Sequence, residues 1–548
     1  MNQFSAPAPT TRPAIIATKE DAFDRLSFLG WRAGLTTIVA GLATSFFLFG
    51  YALIYWRNAD MDLMVIYNAF VLNDGKPQLF FDHTAYLTIL SLKLWFQLLH
   101  ALGLLEAYSL SAIPPASNTA AFDAAMTGAV RAGRVLAWLI ATGCVLIFAA
   151  LVRRIVRDWR IALMATFAFA FSGGIAVHSR ILRSELVAAC PVIFALMVLI
   201  VVGRRSSILR PLWMAVAAGL CVLGLENKVQ AILLIGALPL LPFGGVTSAS
   251  VAFWRNTPSS WLAAGIAAVL AIASAWAAWP LIATGFDRAW LDAAHFHPLL
   301  LGRFGLYQAV LLTLIAACMI AYAAIWQVSA AETLASMFAV AAGASIALLA
   351  LDVQYDANNA IAVLNPLEKM LTFADANTTD VANGSSLSGI LLLLLDGVAS
   401  VLARYSFVLH SSARPTVFLT WLIAPGIIVA WRRGERLVAI QALALLMAAI
   451  GIDALGVRRG LKSEYFIFTD PLIIIAGAIL LDCLKDLRFR KWAYPLAVTL
   501  FALHIAIGQA EPVKHALKRS GPESICEWNR YHLPLLPLPW CAAAPTRS

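Results

Sequence analysis

The sequence predicts an all-α polytopic membrane protein, and three observations predict it. Of 548 residues, 61% are hydrophobic and 13% charged, about half the charge of an ordinary soluble domain. Mean hydropathy is +0.80. Apolar runs of the ~18 residues or more that a bilayer crossing needs recur throughout, whereas a membrane barrel would show short alternating segments.

Residues 1–33 carry Arg12, Lys19, Arg25 and Arg32 among prolines and acids. They lack the apolar core and small-residue cleavage site of a signal peptide, and read as a retained cytoplasmic tail. Spans are expected near 34–55, 133–152, 161–177, 186–203, 211–225, 229–243, 260–280, 304–326, 335–351, 416–431, 437–452, 466–482 and 491–508, about thirteen in all. The loops at 153–160, 203–210, 431–436 and 485–491 are short and basic. All four fall on the cytoplasmic side if the N-terminus does. They account for the net charge of +10 without a nucleic-acid partner. Residues 34–508 then form one transmembrane body, followed by an external C-terminal tail over 509–548.

Counting the apolar stretch 85–104 as a span would move the basic loop 153–160 outside. Lys93, Gln97 and His100 interrupt it at helical spacing, so it is expected to lie as a helix in the outer interface. The apolar piece 388–402 is read the same way. The first outer loop then covers 56–132, and a second long outer region covers 352–415.

The outer turns collect the polar residues. YWRNADMDL after the first span holds Arg57, Asp60 and Asp62. HSRILRSEL (178–186) holds His178, Arg180, Arg183 and Glu185, and ENK (226–228) holds Glu226 and Lys228. RRGLKSEYF (458–466) holds Arg458, Arg459, Lys462, Glu464 and Tyr465. Any one turn is explained by side chains that snorkel to headgroups. Together they put basic groups on the side that the positive-inside tendency disfavours, which calls for an anionic partner. Acids and cations at one membrane surface suit sugar transfer from a lipid-linked phosphate. A carboxylate takes the proton of an acceptor hydroxyl, cations stabilise charge on the departing phosphate, and the transition state resembles an oxocarbenium ion.

On these motifs the chain resembles the GT-C glycosyltransferases, in the branch of protein O-mannosyltransferases and bacterial aminoarabinose transferases. The resemblance covers about residues 34–508 at the level of topology and spaced motifs. It implies a catalytic base at Asp60 or Asp62, although Asp-Met-Asp stands where many relatives have Asp-Glu. It implies that Glu185 holds the acceptor or orients a base. Arg183, Lys228, Arg459 and Lys462 become candidates for the donor phosphate, and Tyr465, within LKSEYFIFTDP, for its headgroup. The segment FFDHTAYL (80–87), with Asp82 and His83, is similar to a DHP-like segment of bacterial members, with Thr84 in place of the proline. The implied activity is inverting transfer from a polyprenyl-phosphate sugar to a hydroxyl or phosphate on a lipid, glycan or protein. The expected setting is a bacterial inner membrane, with the site facing the periplasm.

No cofactor is required. His295 and His297, in AHFHPLL, have a spacing that suits zinc or manganese, with Glu185 and Asp292 as oxygen donors; two solvated interfacial histidines are the plainer reading. Cys526 and Cys541, in the tail, are a candidate disulfide in an oxidising compartment. The other five cysteines lie in or near spans as packing residues. Asn377-Thr-Thr and Asn383-Gly-Ser match a glycosylation motif that arises often by chance. Two other classes were weighed. A secondary transporter calls for charges or helix breaks near span centres in two matching halves. A polysaccharide polymerase or ligase calls for a large outer loop late in the chain.

Overall fold

The computed structural model describes residues 19–58, 62–78, 85–204, 207–238, 250–283, 313, 316–324, 327–352, 395–403, 417–456, 463–484, 490–517, 525–526, 529 and 532–541. Among the described residues every regular element is helical. The helices run α1 (Lys19–Phe46), α2 (Met64–Asn73), α3 (Tyr86–Ala101), α4 (Thr119–Ile155), α5 (Trp159–Ala170), α6 (Gly173–His178), α7 (Ser184–Gly203) and α8 (Arg210–Asn227). They continue with α9 (Ala231–Ala237), α10 (Pro258–Ala283), α11 (Ala330–Leu351), α12 (Val417–Arg432), α13 (Arg436–Gly456), α14 (Asp470–Leu484) and α15 (Arg490–Leu517).

Among the described residues, six segments are long and apolar enough to cross a membrane: Leu29–Tyr51, Thr119–Ile155, Ser184–Gly203, Pro258–Leu281, Ala330–Leu351 and Arg436–Ala454. The other expected spans coincide with shorter or less apolar helices, and most of 304–326 lies outside the described residues. The expected span at 161–177 is interrupted. The 12 residues of α5 rise about 18 Å, short of the ~30 Å hydrocarbon layer. Ser172 then starts α6 by accepting a hydrogen bond from the Ile175 N–H, a side-chain cap that satisfies one of the free N–H groups of a new helix.

The 20 residues of α7 cover about 30 Å and separate two ends of the bundle. At the basic end, Arg204 donates to the Ile155 carbonyl at the close of α4 and, at 3.1 Å, to Gln441 of α13. The backbone N–H groups of Arg157 and Asp158 donate to Asp482 of α14 at 2.9 and 3.0 Å. Arg210 opens α8 and pairs with Glu332 of α11 at 2.9 Å, with both side chains buried. Ser329 and Glu332 have the spacing of a capping box, and the Ser329 hydroxyl accepts from the Glu332 N–H at 3.2 Å. The return bond is diverted: Glu332 accepts from the Ser250 hydroxyl, and that hydroxyl accepts from the Ser329 N–H at 2.9 Å. Ser250 thus frees the Glu332 carboxylate for Arg210.

At the other end, α1 widens into a π-helical turn, Phe47–Tyr51. The 85–104 stretch forms α3, which lies beside the early part of α4, with the Trp95 indole N–H on the Ala132 carbonyl at 3.0 Å. Of 388–402, residues 395 onward are described and are helical. Two main apolar cores result. One fills the helix bundle, around Phe148, Phe169, Ile193 and Ile475. The second joins Tyr55, Leu63 to Tyr67, Leu92, Phe96 and Met126 with Leu533, Leu536 and Leu538 of the C-terminal tail. The tail is held there by the Leu535 N–H on the Tyr67 hydroxyl at 3.2 Å. Trp540 packs 5.8 Å from the Tyr55 ring and 5.1 Å from the Trp56 ring, and Cys526 and Cys541 form a disulfide across 15 positions of sequence.

Closing a loop of that length constrains the unfolded tail by about 3 kcal/mol. Replacing both cysteines by serine is expected to make the tail cleave at least tenfold faster in limited proteolysis, while the helix bundle stays intact. Unchanged cleavage would mean that the apolar contacts alone hold the tail.

Candidate active site

The site is built on the turn between α6 and α7. A Cβ on Gly174 would lie 2.8 Å from the Ile467 nitrogen, so only glycine lets the segment Ser463–Phe468 sit directly on α6. Arg183 is extended (φ −139°, ψ 156°) and α7 starts at Ser184, which places Glu185 in its first turn. A carboxylate there is favoured by the exposed N–H groups and positive end of the helix dipole.

Glu185 has no solvent exposure. Arg183 approaches it side-on, with Nε 3.2 Å from Oε2 and Nη2 3.1 Å from Oε1. Lys228, fully buried where α8 ends, donates to Oε1 at 2.6 Å. His178 Nε2 lies 3.5 Å from Oε2, and its Nδ1 is 2.6 Å from the Gly174 carbonyl. The Lys228 ammonium also lies 5.5 Å from the Tyr465 ring centre, within range of a cation–π contact. Arg183 reaches Glu464 at 3.6 Å, and these two side chains, 11% and 14% exposed, form the rim of an otherwise buried cluster.

The same turn reaches the first loop. The Leu182 N–H donates to Asp62 Oδ1 at 3.2 Å, and Arg134 Nε of α4 donates to Asp62 Oδ2 at 2.6 Å. Both side chains are fully buried. Burial pushes the Asp62 carboxyl above its ordinary range, against the pull of Arg134. Arg134 also donates to the carbonyls of Gly50, Leu53 and Ile54. It therefore takes up the carbonyls released where α1 ends. Asn227 is a third tie. Its carbonyl oxygen Oδ1 accepts from the Thr88 N–H at 2.9 Å and from the Thr88 hydroxyl at 3.0 Å, and its amide donates to the Ser184 carbonyl.

Of the residues expected from sequence, the structure gathers Asp62, Arg183, Glu185, Lys228 and Tyr465 about this one turn. Asp60, Asp82, His83, His295, His297, Arg459 and Lys462 lie outside the described residues. Both Glu185 oxygens face fixed cations, so a divalent ion there would have to displace an ammonium and a guanidinium. Glu185 does not fit a metal ligand. Among the described residues no group of three metal-binding side chains occurs. Arg134 and Asn227 were not singled out from the sequence. Arg134 had a signal, since a charge inside the apolar run 133–152 marks a polar partner or a function. Asn227 had none beyond its place between Glu226 and Lys228.

No family model matches the chain, and no curated protein matches it. Two solved structures align with 94% of this chain. One is the Archaeoglobus fulgidus oligosaccharyltransferase in complex with zinc and sulfate, at 13% identity and a TM-score of 0.45. The other is the archaeal oligosaccharyltransferase AglB from Archaeoglobus fulgidus in complex with an inhibitory peptide and a dolichol-phosphate, at 12% identity and a TM-score of 0.43. This chain spans 59% and 61% of their lengths.

Replacing Arg134 by Met would strand the buried Asp62 charge. The expected loss is about 3–5 kcal/mol of stability, read by unfolding in a denaturing detergent. Adding Asp62→Asn should recover part of it. A double variant no more stable than Arg134→Met would place the loss in the freed carbonyls instead.

Proposed function

We propose that the chain is an inverting GT-C-type glycosyltransferase that moves a sugar from a polyprenyl phosphate to a hydroxyl or phosphate acceptor. We place it in a bacterial inner membrane with the site facing the periplasm. One observation carries the reading: a single turn binds the acidic first loop through Leu182 and Asp62, and three residues on gathers Arg183 and Lys228 around Glu185. A buried carboxylate of the acidic first loop and preorganised cations are thereby tied to one piece of backbone.

Asp62 is engaged by Arg134 and the Leu182 N–H, so its role is to position the loop. Asp60, two residues before it, is the base. It takes the acceptor proton as the acceptor oxygen attacks the anomeric carbon from the face opposite the phosphate. The bond from that carbon to the phosphate oxygen breaks, its electron pair stays on the phosphate, and configuration inverts. Arg183 on the rim meets the growing charge, with Lys228 behind it and Arg459 and Lys462 as further ligands. Glu185 fixes the cations before the reaction, so that no reorganisation is needed as charge develops. Tyr465 lies against the headgroup. The acceptor is a lipid, glycan or protein, and the reaction as written requires no metal ion, which leaves His295 and His297 without a step.

The test incubates purified protein with a panel of polyprenyl-phosphate sugars and measures released lipid phosphate. Asp60→Asn is expected to lower kcat by about 10²–10⁴, the range for loss of a general base. Arg183→Gln is expected to lower it by about 10²–10³, as for loss of one charge-stabilising donor. Normal turnover by Asp60→Asn and Asp62→Asn alike would overturn the mechanism.

A further inference from the structure

Three residues before Arg183, the side chain of Arg180 turns away from the Glu185 cluster toward the first and last helices. The residue is 3% exposed. Its Nη2 donates to the Ser45 hydroxyl of α1 and to Gln509 Oε1 of α15, the latter at 2.8 Å, and its guanidinium lies 5.7 Å from the Phe49 ring centre. Nε and Nη1 are buried and have no hydrogen-bond partner among the described residues.

The fully buried cations Arg134, Arg210 and Lys228 each have a carboxylate: Asp62, Glu332 and Glu185. Arg180 has none among the described residues, and burial pushes its guanidinium down to about 10. The negative end of the first helix does not answer it, because Arg134 takes the carbonyls of Gly50, Leu53 and Ile54. A lone buried charge is among the costliest groups a protein can hold. It is tolerated where something from outside supplies the counter-charge.

We propose that the place where α1, α15 and the 179–183 turn meet is an anion site for a phosphate group, from a membrane phospholipid or free in solution. Arg180 provides the charge, and Ser45 and Gln509 form the polar mouth. Ser45 and Gln509 are half-buried. Phe47 and Leu48, in the π-helical turn that follows Ser45, are 54% and 66% exposed, so apolar surface adjoins the polar mouth, as a phospholipid would require. A phosphate has the tetrahedral acceptor oxygens that a guanidinium fork matches with paired hydrogen bonds. The site stands apart from the transfer reaction and does not depend on it.

The experiment uses the full chain and three proteins: wild type, Arg180→Gln and the charge-preserving Arg180→Lys. Native mass spectrometry measures retention of phosphatidylglycerol against phosphatidylcholine. Thermal unfolding is followed in nanodiscs of each lipid, and in detergent with inorganic phosphate or chloride at matched ionic strength. Wild type is expected to retain phosphatidylglycerol and to unfold at higher temperature with it. Arg180→Gln should bind it about tenfold to a hundredfold more weakly and be at least as stable as wild type in phosphatidylcholine, while Arg180→Lys keeps part of the binding. Stabilisation by inorganic phosphate alone would still support the site and assign it to a free ion. Equal binding by wild type and Arg180→Gln would overturn the proposal. So would an Arg180→Gln protein destabilised equally in every lipid and salt, because the guanidinium would then be satisfied from within. No arm reads turnover, so the outcome is independent of the glycosyltransferase reading.

Discussion

The Glu185 carboxylate is the constraint on which this end of the molecule depends. It lies buried at the head of an apolar helix, and its two oxygens face Arg183, Lys228 and His178. Those partners come from α6, from the turn itself and from the end of α8, and the Tyr465 ring lies 5.5 Å from the Lys228 ammonium. In a low-dielectric surround each charge is tolerable only because the others are there. The elements that carry them are therefore fixed in register to within a hydrogen bond. If Glu185 were neutral, Arg183 would keep its rim contact with Glu464 while Lys228 lost its 2.6 Å carboxylate partner, and one of the ties that close the turn would go.

Buried ion pairs are weak evidence for stability, because well-packed apolar residues of similar volume often do as well or better. Their distribution is therefore informative. At the basic end, Arg204 bonds to a carbonyl and an amide, and Arg210 meets one acid. These contacts join one helix to another. At the turn end, charges from four segments converge, and a rim of Arg183 and Glu464 keeps some exposure. A chain that needed only to seal its helices would have no cause to concentrate charge in this way. Preorganised charge tied to Asp62 of the first loop is what the proposed transfer, with its developing phosphate anion, calls for.

Much of this arrangement was legible because apolar spans make any charge conspicuous. Asp62, Glu185 and Lys228 stood out as polar breaks between hydrophobic runs, and the 85–104 stretch stood out as a helix, α3. Partnership was not legible. Asp62 and Arg134 are 72 residues apart, and nothing local says that one carboxylate of Asp-Met-Asp is sealed in an ion pair. Asn227 carries no charge, so a reading that follows charges passes over it although it links Thr88 to Ser184. The break at Ser172 was hidden for another reason. Serine and glycine in FSGG scarcely lower a hydropathy average, yet the serine hydroxyl caps the helix that begins there.

The second core gives the first loop its own logic. Tyr55 is anchored by its hydroxyl on Asp123 at 2.6 Å and by the Trp540 ring of the tail. Asp62 is anchored by Arg134 and the Leu182 N–H. These two anchors hold the chain on either side of residues 59–61, one to α4 and the disulfide-closed tail, the other to α4 and the turn that bears Glu185. In the proposed reaction, anchoring of this kind would settle orientation before substrate arrives, which is how positioning lowers a catalytic barrier. The tail, remote in sequence from every charged turn, is on this view part of what holds the start of the first loop in place, through Trp540 packed at a tilt against Tyr55 and Trp56.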